Sequence, residues 1–204
     1  MFPARRIHRY TYADYVAVEL DSPATKHEFL DGEIYAMSGG TEEHSALSLQ
    51  ILAALDAATG DGPCRAHTSD LRIYVEAVGL ATFPDGSVIC GPLEQHPPSP
   101  KSTALNPTVL VEVTSDSSEE YDTGEKADFY RTIPSLRDYV IVSHRERRIK
   151  VHSRLAEGAW TTRVAISGGR VPVNGLQTEL VVDDIYRKST ILSLVPQTPG
   201  PEKA

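Results

Sequence analysis

From Thr41 to Ala58 apolar residues return every four positions, at Leu47, Ile51 and Leu55 with Leu52 beside them, and Gly60 follows as a stop. That recurrence is the period of a helix with one buried face, so a helix packed on a sheet is expected. An earlier stripe of Tyr15, Val18 and Leu20 predicts an amphipathic helix over 12–20, opened at Thr11 or at Tyr12-Ala13-Asp14 and closed by Pro23. Elsewhere the period drops to two, or the apolar run becomes continuous, as in strands. Two β-prone runs flank Asp31-Gly32 within residues 28–37, and Asp-Gly supplies the positive φ angles of a two-residue hairpin turn. Strands are also expected over 64–75, 81–90 and 108–114, the last, preceded by Asn106-Pro107, apolar enough for a sheet centre. Residues 91–107 contain five prolines and read as a mobile surface loop, a candidate lid.

Asp122-Thr123-Gly124-Glu125 has capping-box spacing, and Ala127, Phe129, Tyr130 and Ile133 then form a helical face that Pro134 ends. A strand over 139–143, a charged turn over 145–148, a returning strand over 149–153 and a further strand over 160–166 complete a meander. Residues 1–194 are expected to form a single domain, and the Pro-rich tail 195–204 to be disordered.

Composition adds little to this picture. The chain has 204 residues and the hydrophobic fraction of an ordinary soluble domain, with no run approaching a membrane span and no apolar leader behind Met1, so a cytoplasmic protein is expected. Cys64 and Cys90 have no His or Cys at metal-ligand spacing, and buried free thiols are expected in preference to a zinc site or a disulfide. The net charge of −8 speaks against attraction of nucleic acid by the overall field, but not against a local encounter with a phosphodiester.

The chemistry lies where charge interrupts apolar elements. On the strand 108–114, Glu112 shares a face with Leu110 and Thr114, opposite Val109, Val111 and Val113. A buried carboxylate in such a run needs a cation, a metal or a proton. Asp85, in Phe83-Pro84-Asp85, stands on a neighbouring strand, and Asp85, Glu112 and the carbonyl of Val113 could ligate one Mg²⁺ or Mn²⁺. Lys126 borders the apolar helical face of Phe129 and Tyr130, where its amine could reach Glu112.

These residues, with Glu28-Phe29-Leu30-Asp31-Gly32-Glu33-Ile34, His44, Asp70-Leu71-Arg72, Tyr121-Asp122-Thr123-Gly124-Glu125-Lys126, Tyr130-Arg131 and Ile133-Pro134-Ser135, give the chain a resemblance to the PD-(D/E)xK nuclease superfamily. More narrowly it resembles the Uma-two family of restriction-endonuclease-like proteins. The resemblance spans about residues 12–186. It implies an α/β fold with a restriction-endonuclease-like core, a central mixed β-sheet flanked by helices, ordered helix, three strands, helix, strand. It also implies Mg²⁺- or Mn²⁺-dependent hydrolysis of DNA phosphodiesters, with Asp85 and Glu112 on the metal and a lysine offsetting phosphate charge. Thr114 stands where the superfamily pattern has that lysine, and Lys126 is the substitute from the next helix. Gly86 replaces a usual β-branched residue, which is expected to leave its strand less firmly packed.

Each residue also has a plainer reading. Glu112 and Lys126 form a structural ion pair in that case, Asp85 a turn residue before Gly86, and His44 a satisfied core histidine. Glu28 is then a cross-strand partner to a basic residue and Asp70 one half of a local ion pair, while Arg145, Arg147, Arg148 and Lys150 cap a solvated hairpin end. A non-catalytic interaction or DNA-binding module and a hydrolase of smaller phosphodiesters are the competing functional classes. Cutting both strands of a duplex calls for two sites, which makes a homodimer the expected assembly.

Overall fold

The computed structural model describes residues 9–96 and 103–192. In chain order it runs α1 (Tyr12–Asp21), β1 (His27–Leu30), β2 (Glu33–Ala36), α2 (Glu42–Thr59), β3 (Cys64–Thr68), β4 (Arg72–Val75), β5 (Leu80–Thr82), β6 (Gly86–Cys90) and β7 (Thr103–Ala104). It continues with β8 (Val109–Val113), α3 (Glu119–Thr123), α4 (Glu125–Arg131), β9 (Asp138–Val142), β10 (Arg148–Arg154), β11 (Trp160–Ile166), β12 (Arg170–Val173), β13 (Thr178–Val181) and α5 (Val182–Ile185).

The central six-stranded sheet has the order β11-β10-β9-β8-β6-β3, and a five-stranded sheet has the order β2-β1-β5-β4-β7. β8 and β9 run parallel, so the chain must cross over between them, and it does so through α3 and α4. Strand alternation sorts β8 as its sequence demands. Val109, Val111 and Val113 pack with Leu47, Ile51 and Leu55 of α2, while Leu110 packs on the other side with Ala127, Tyr130 and Tyr139. The expected sequence of helix, three strands, helix, strand is therefore α2, β3, β6, β8, α4, β9.

Two expected strands are each divided between the sheets. Residues 64–75 turn at Ser69-Asp70, leaving β3 in the central sheet and β4 in the other. Residues 81–90 are broken by Phe83-Pro84-Asp85, where a proline without an N–H cannot continue a ladder, and the chain passes from β5 to β6. Gly86 has the opposite effect from the one expected. A Cβ there would lie 2.4 Å from Leu52 Cδ2, so the missing side chain admits Leu52 of α2 against the strand.

The hairpin forms as read, with Asp31 and Gly32 both at positive φ. In α1 the buried pair is Tyr15 and Glu19, not Val18 and Leu20. Glu19 is tolerated because it accepts the backbone N–H of His27 at 2.7 Å and faces that ring at 2.8 Å. The capping box expected at Asp122 is absent: the helix starts at Glu119, pinches at Gly124 and restarts, and Asp122 is buried inside α3.

Cys64 and Cys90 are not free thiols. They are register partners on β3 and β6, and they are joined in a disulfide. Their distance of 26 positions hid a pairing that only strand register brings about. Of the proline-rich segment, the described ends are pinned. Residue 103 pairs with Arg72 in parallel, Gln95 bridges Ala104, and Glu94 and Asn106 are hydrogen-bonded. The centre of that proposed lid, 97–102, and the tail 195–204 lie outside the described residues. No element was expected beyond residue 166, yet β12, β13 and α5 bury Val171, Val173, Leu180, Val182 and Ile185 in the core of α2.

Candidate functional site

The carboxylates and the amine singled out above meet where the chain passes between the sheets. Glu112 points away from α2, and its Oε1 accepts hydrogen bonds from Lys126 Nζ at 2.7 Å and from the Tyr130 hydroxyl at 2.8 Å. Lys126 and Tyr130 are four apart on α4, so one helical face delivers both donors to one oxygen. Asp85 arrives from the link before β6: its backbone N–H lies 3.4 Å from Glu112 Oε2, and its Oδ2 accepts the Val113 N–H at 2.7 Å. The break that sequence periodicity passed over is what sets Asp85 beside Glu112.

Around Lys126 stand two more carboxylates, Asp122 at 3.5 Å and Glu28 at 3.7 Å. Glu28 is held by the hydroxyls of Tyr121 and Thr82, each at 2.6 Å, so the hairpin carboxylate belongs to the cluster. His44, at the start of α2, sits 3.1 Å from Asp85 Oδ2 and also hydrogen-bonds the Val113 backbone.

Burial governs the electrostatics here. Desolvation pushes the Glu112 carboxyl up to about 8, with Lys126 opposing and Asp122 and Asp85 adding to the rise. The same burial would lower the Lys126 amine, but Glu112, Asp122 and Glu28 outweigh it and hold that amine well above its usual range. Lys126 is therefore charged. The hydrogen bond to Asp85 raises His44, against the effect of its own burial. Four carboxyl groups, Glu112, Asp122, Glu28 and Asp85, thus surround the Lys126 ammonium and the His44 ring.

Two expected residues lie apart from this cluster. Asp70 is exposed in the turn before β4, 2.9 Å from Lys26 Nζ, because the strand expected to carry it ends first. Thr114 is buried, but its hydroxyl pairs with His144 Nδ1 at 2.8 Å, and His144 continues to Asp116 at 3.1 Å. In the basic turn, Arg145 is paired with Asp116 and Glu119, and Arg148 with Glu146. Thr82 and His144 are not singled out by the sequence, and Tyr121 and Asp122 are read there without a place in the site. The spacing of Asp122, Lys126 and Tyr130 at four-residue steps was the available signal for Asp122.

The donors are of the oxygen type that suits a hard divalent cation: two carboxyl groups and a backbone carbonyl. His44 stands on two of those donors, Asp85 and the Val113 backbone. Among the described residues no group of three or more His, Cys, Asp or Glu side chains is arranged to hold a metal ion. No helix among them is long and apolar enough to cross a membrane.

Comparison with known proteins agrees with this architecture. A crystal structure of "a putative nuclease belonging to DUF820" from Anabaena variabilis superposes with a TM-score of 0.68 at 17% identity, covering 85% of this chain and 97% of the other. An uncharacterized Synechocystis protein, slr1290, is 35% identical over 164 residues, 79% of this chain and 84% of the relative. Another from that organism, sll1609, is 27% identical over 150 residues, 74% and 84% of the two chains. The sequence profile of the Uma2 family, described as "Putative restriction endonuclease", matches residues 12–183, and the chain belongs to that family.

Proposed function

We propose that this protein is a divalent-metal-dependent endonuclease that hydrolyses DNA phosphodiesters, with Asp85, Glu112 and the Val113 carbonyl as ligands of Mg²⁺ or Mn²⁺ and Lys126 as the positive group. The observation that carries this reading is the 2.7 Å contact of Lys126 with Glu112, beside Asp85. Lys126 supplies from α4 the charge that Thr114, just past the end of β8, cannot supply.

When bound, the ion polarises a phosphoryl oxygen and lowers the pKa of water. The protein's own groups do the rest. Tyr130 fixes the rotamer of Glu112, and Glu112 with Asp122 and Glu28 keeps the Lys126 amine protonated, ready to stabilise negative charge on phosphate. His44, 3.1 Å from Asp85 Oδ2, orients that carboxylate, and a bound cation would compete with it for the same oxygen. In this reading residues 1–194 act as one domain, the assembly is a homodimer, and the protein works in the cytoplasm, where the Cys64–Cys90 bond would be reduced.

Calorimetry with Mn²⁺ tests the metal: binding by the wild type that is lost in Asp85→Ala and Glu112→Gln is expected, and equal binding by all three overturns the reading. Incubation with plasmid, single-stranded DNA, RNA and a chromogenic phosphodiester tests the substrate. Cleavage of the last alone favours the small-substrate class, which the net charge of −8 suits better than a long duplex. The satisfied ion network, with His44 already on Asp85, favours a second reading as a non-catalytic module. Duplex binding without metal uptake or cleavage would decide for it.

A further inference from the structure

At the opposite end of β8 from Glu112, a cleft of about 500 Å³ opens beside Thr108, Ser135, Arg137, Arg154, Asn174 and Gly175. Thr108 lies four residues before Glu112, roughly 13 Å along a strand at its usual rise. The cleft is thus separate from the candidate nuclease site.

Its chemistry is that of an anion site. Among the described residues no carboxylate lines it. The Arg154 guanidinium is locked in place, donating Nε to the Leu136 carbonyl at 2.9 Å and Nη2 to those of Arg131 and Ile133 at 2.8 and 2.7 Å, and lying over Trp160 at 4.8 Å. Those partners are neutral, and among the described residues Arg154 has no ion-pair partner and Nη1 no acceptor, so both its charge and those hydrogens remain for a ligand. Arg137 forms no ion pair or side-chain hydrogen bond among the described residues, and the two guanidinia are near enough to repel.

Asp138, next to Arg137 in the chain, is fully buried with its oxygens occupied by Ser153 Oγ and the Gly175 N–H, both at 2.6 Å. It comes within ion-pair distance of neither arginine. Thr108 Oγ1 accepts the Cys90 N–H at 3.2 Å and so has its own hydrogen to give. Two unneutralised guanidinia, a hydroxyl donor and the Asn174 amide make a polyvalent set for tetrahedral oxyanions.

We propose that this cleft binds a phosphate group, with Arg137 and Arg154 as its charged ligands. The phosphate could be free or the terminal monoester of a nucleotide. The proposal does not depend on nuclease activity, since it uses none of Asp85, Glu112 or Lys126.

The test is calorimetric titration of the full chain with inorganic phosphate, and separately with a 5′-phosphorylated and an unphosphorylated oligonucleotide, at constant ionic strength set by chloride. Saturable phosphate binding is expected. Arg137→Gln should weaken it about tenfold, the loss of one charge-assisted contact worth about 1.4 kcal/mol. Arg137 is exposed, so this variant keeps the fold, which an unchanged melting temperature verifies. Asp85→Ala should leave phosphate binding intact, which separates a failure here from a failure of the nuclease reading. Tighter binding of the 5′-phosphorylated oligonucleotide identifies a nucleic-acid end as the source, and equal affinity of both oligonucleotides with retained phosphate binding identifies free phosphate. Absence of phosphate binding, or binding unchanged in Arg137→Gln, overturns the proposal.

Discussion

Replacing Lys126 by methionine keeps the length and apolar stem of the side chain and removes only the charge. The ammonium lies 2.7, 3.5 and 3.7 Å from Glu112, Asp122 and Glu28, and its exposure of 5% leaves little solvent to take over. Deleting one partner of a buried ion pair leaves an uncompensated charge, at a cost of about 3–5 kcal/mol. That is a large share of the roughly 5–15 kcal/mol available to a domain. The loss must also depend on pH. Glu112 is already pushed up to about 8, and without the amine it rises further. A carboxyl raised in the folded state binds more protons there than in the unfolded chain, so stability falls as pH rises above the unfolded value near 4.3. Urea denaturation should therefore show a greater loss at pH 8 than at pH 5. Adding Glu112→Gln to Lys126→Met should recover about 2 kcal/mol at pH 8. A loss below about 1 kcal/mol, or one equal at both pH values, would refute the description of Lys126 as a buried charge held by carboxylates.

Further perturbations test other parts of the fold. Gly86→Val should cost about 1–3 kcal/mol by overpacking against Leu52, measured by urea midpoint, whereas a strand merely loosened by glycine would be stabilised. Reduction of Cys64–Cys90, which closes a loop of 26 positions, should lower stability by about 3.5 kcal/mol on the chain-entropy account, seen as a fall in melting temperature with reductant that Cys64→Ser abolishes. His152 is held down to about 4 by burial and by Arg131, so the unfolded chain takes up a proton near pH 6.5 that the folded one refuses. Stability should fall as pH drops from about 6.5 to about 4, by an order of 2 kcal/mol after allowing for partial solvent screening, and His152→Gln should flatten that part of the profile.

What the chain determined by itself is the set of elements whose pattern is local. The i, i+4 recurrence of Leu47, Ile51 and Leu55 made α2, Asp31-Gly32 made the hairpin, and alternation along β8 turned Glu112 away from the valines. Lys126 was legible for the same reason, since its place on a helical face with Tyr130 follows from spacing alone. Tertiary structure decided everything that needed two distant segments at once. The partition of 64–75 and 81–90 between two sheets is invisible to periodicity, because a strand looks the same in either sheet. That partition set Asp85 next to Glu112, left Asp70 in an exposed turn and brought Cys64 opposite Cys90. Asp122, four residues before Lys126, follows from helical spacing, but Glu28 lies outside local sequence: only the placing of the hairpin beside α3 and α4 brings it to the ammonium and to the Tyr121 hydroxyl, where its charge helps offset the cost of burying Lys126.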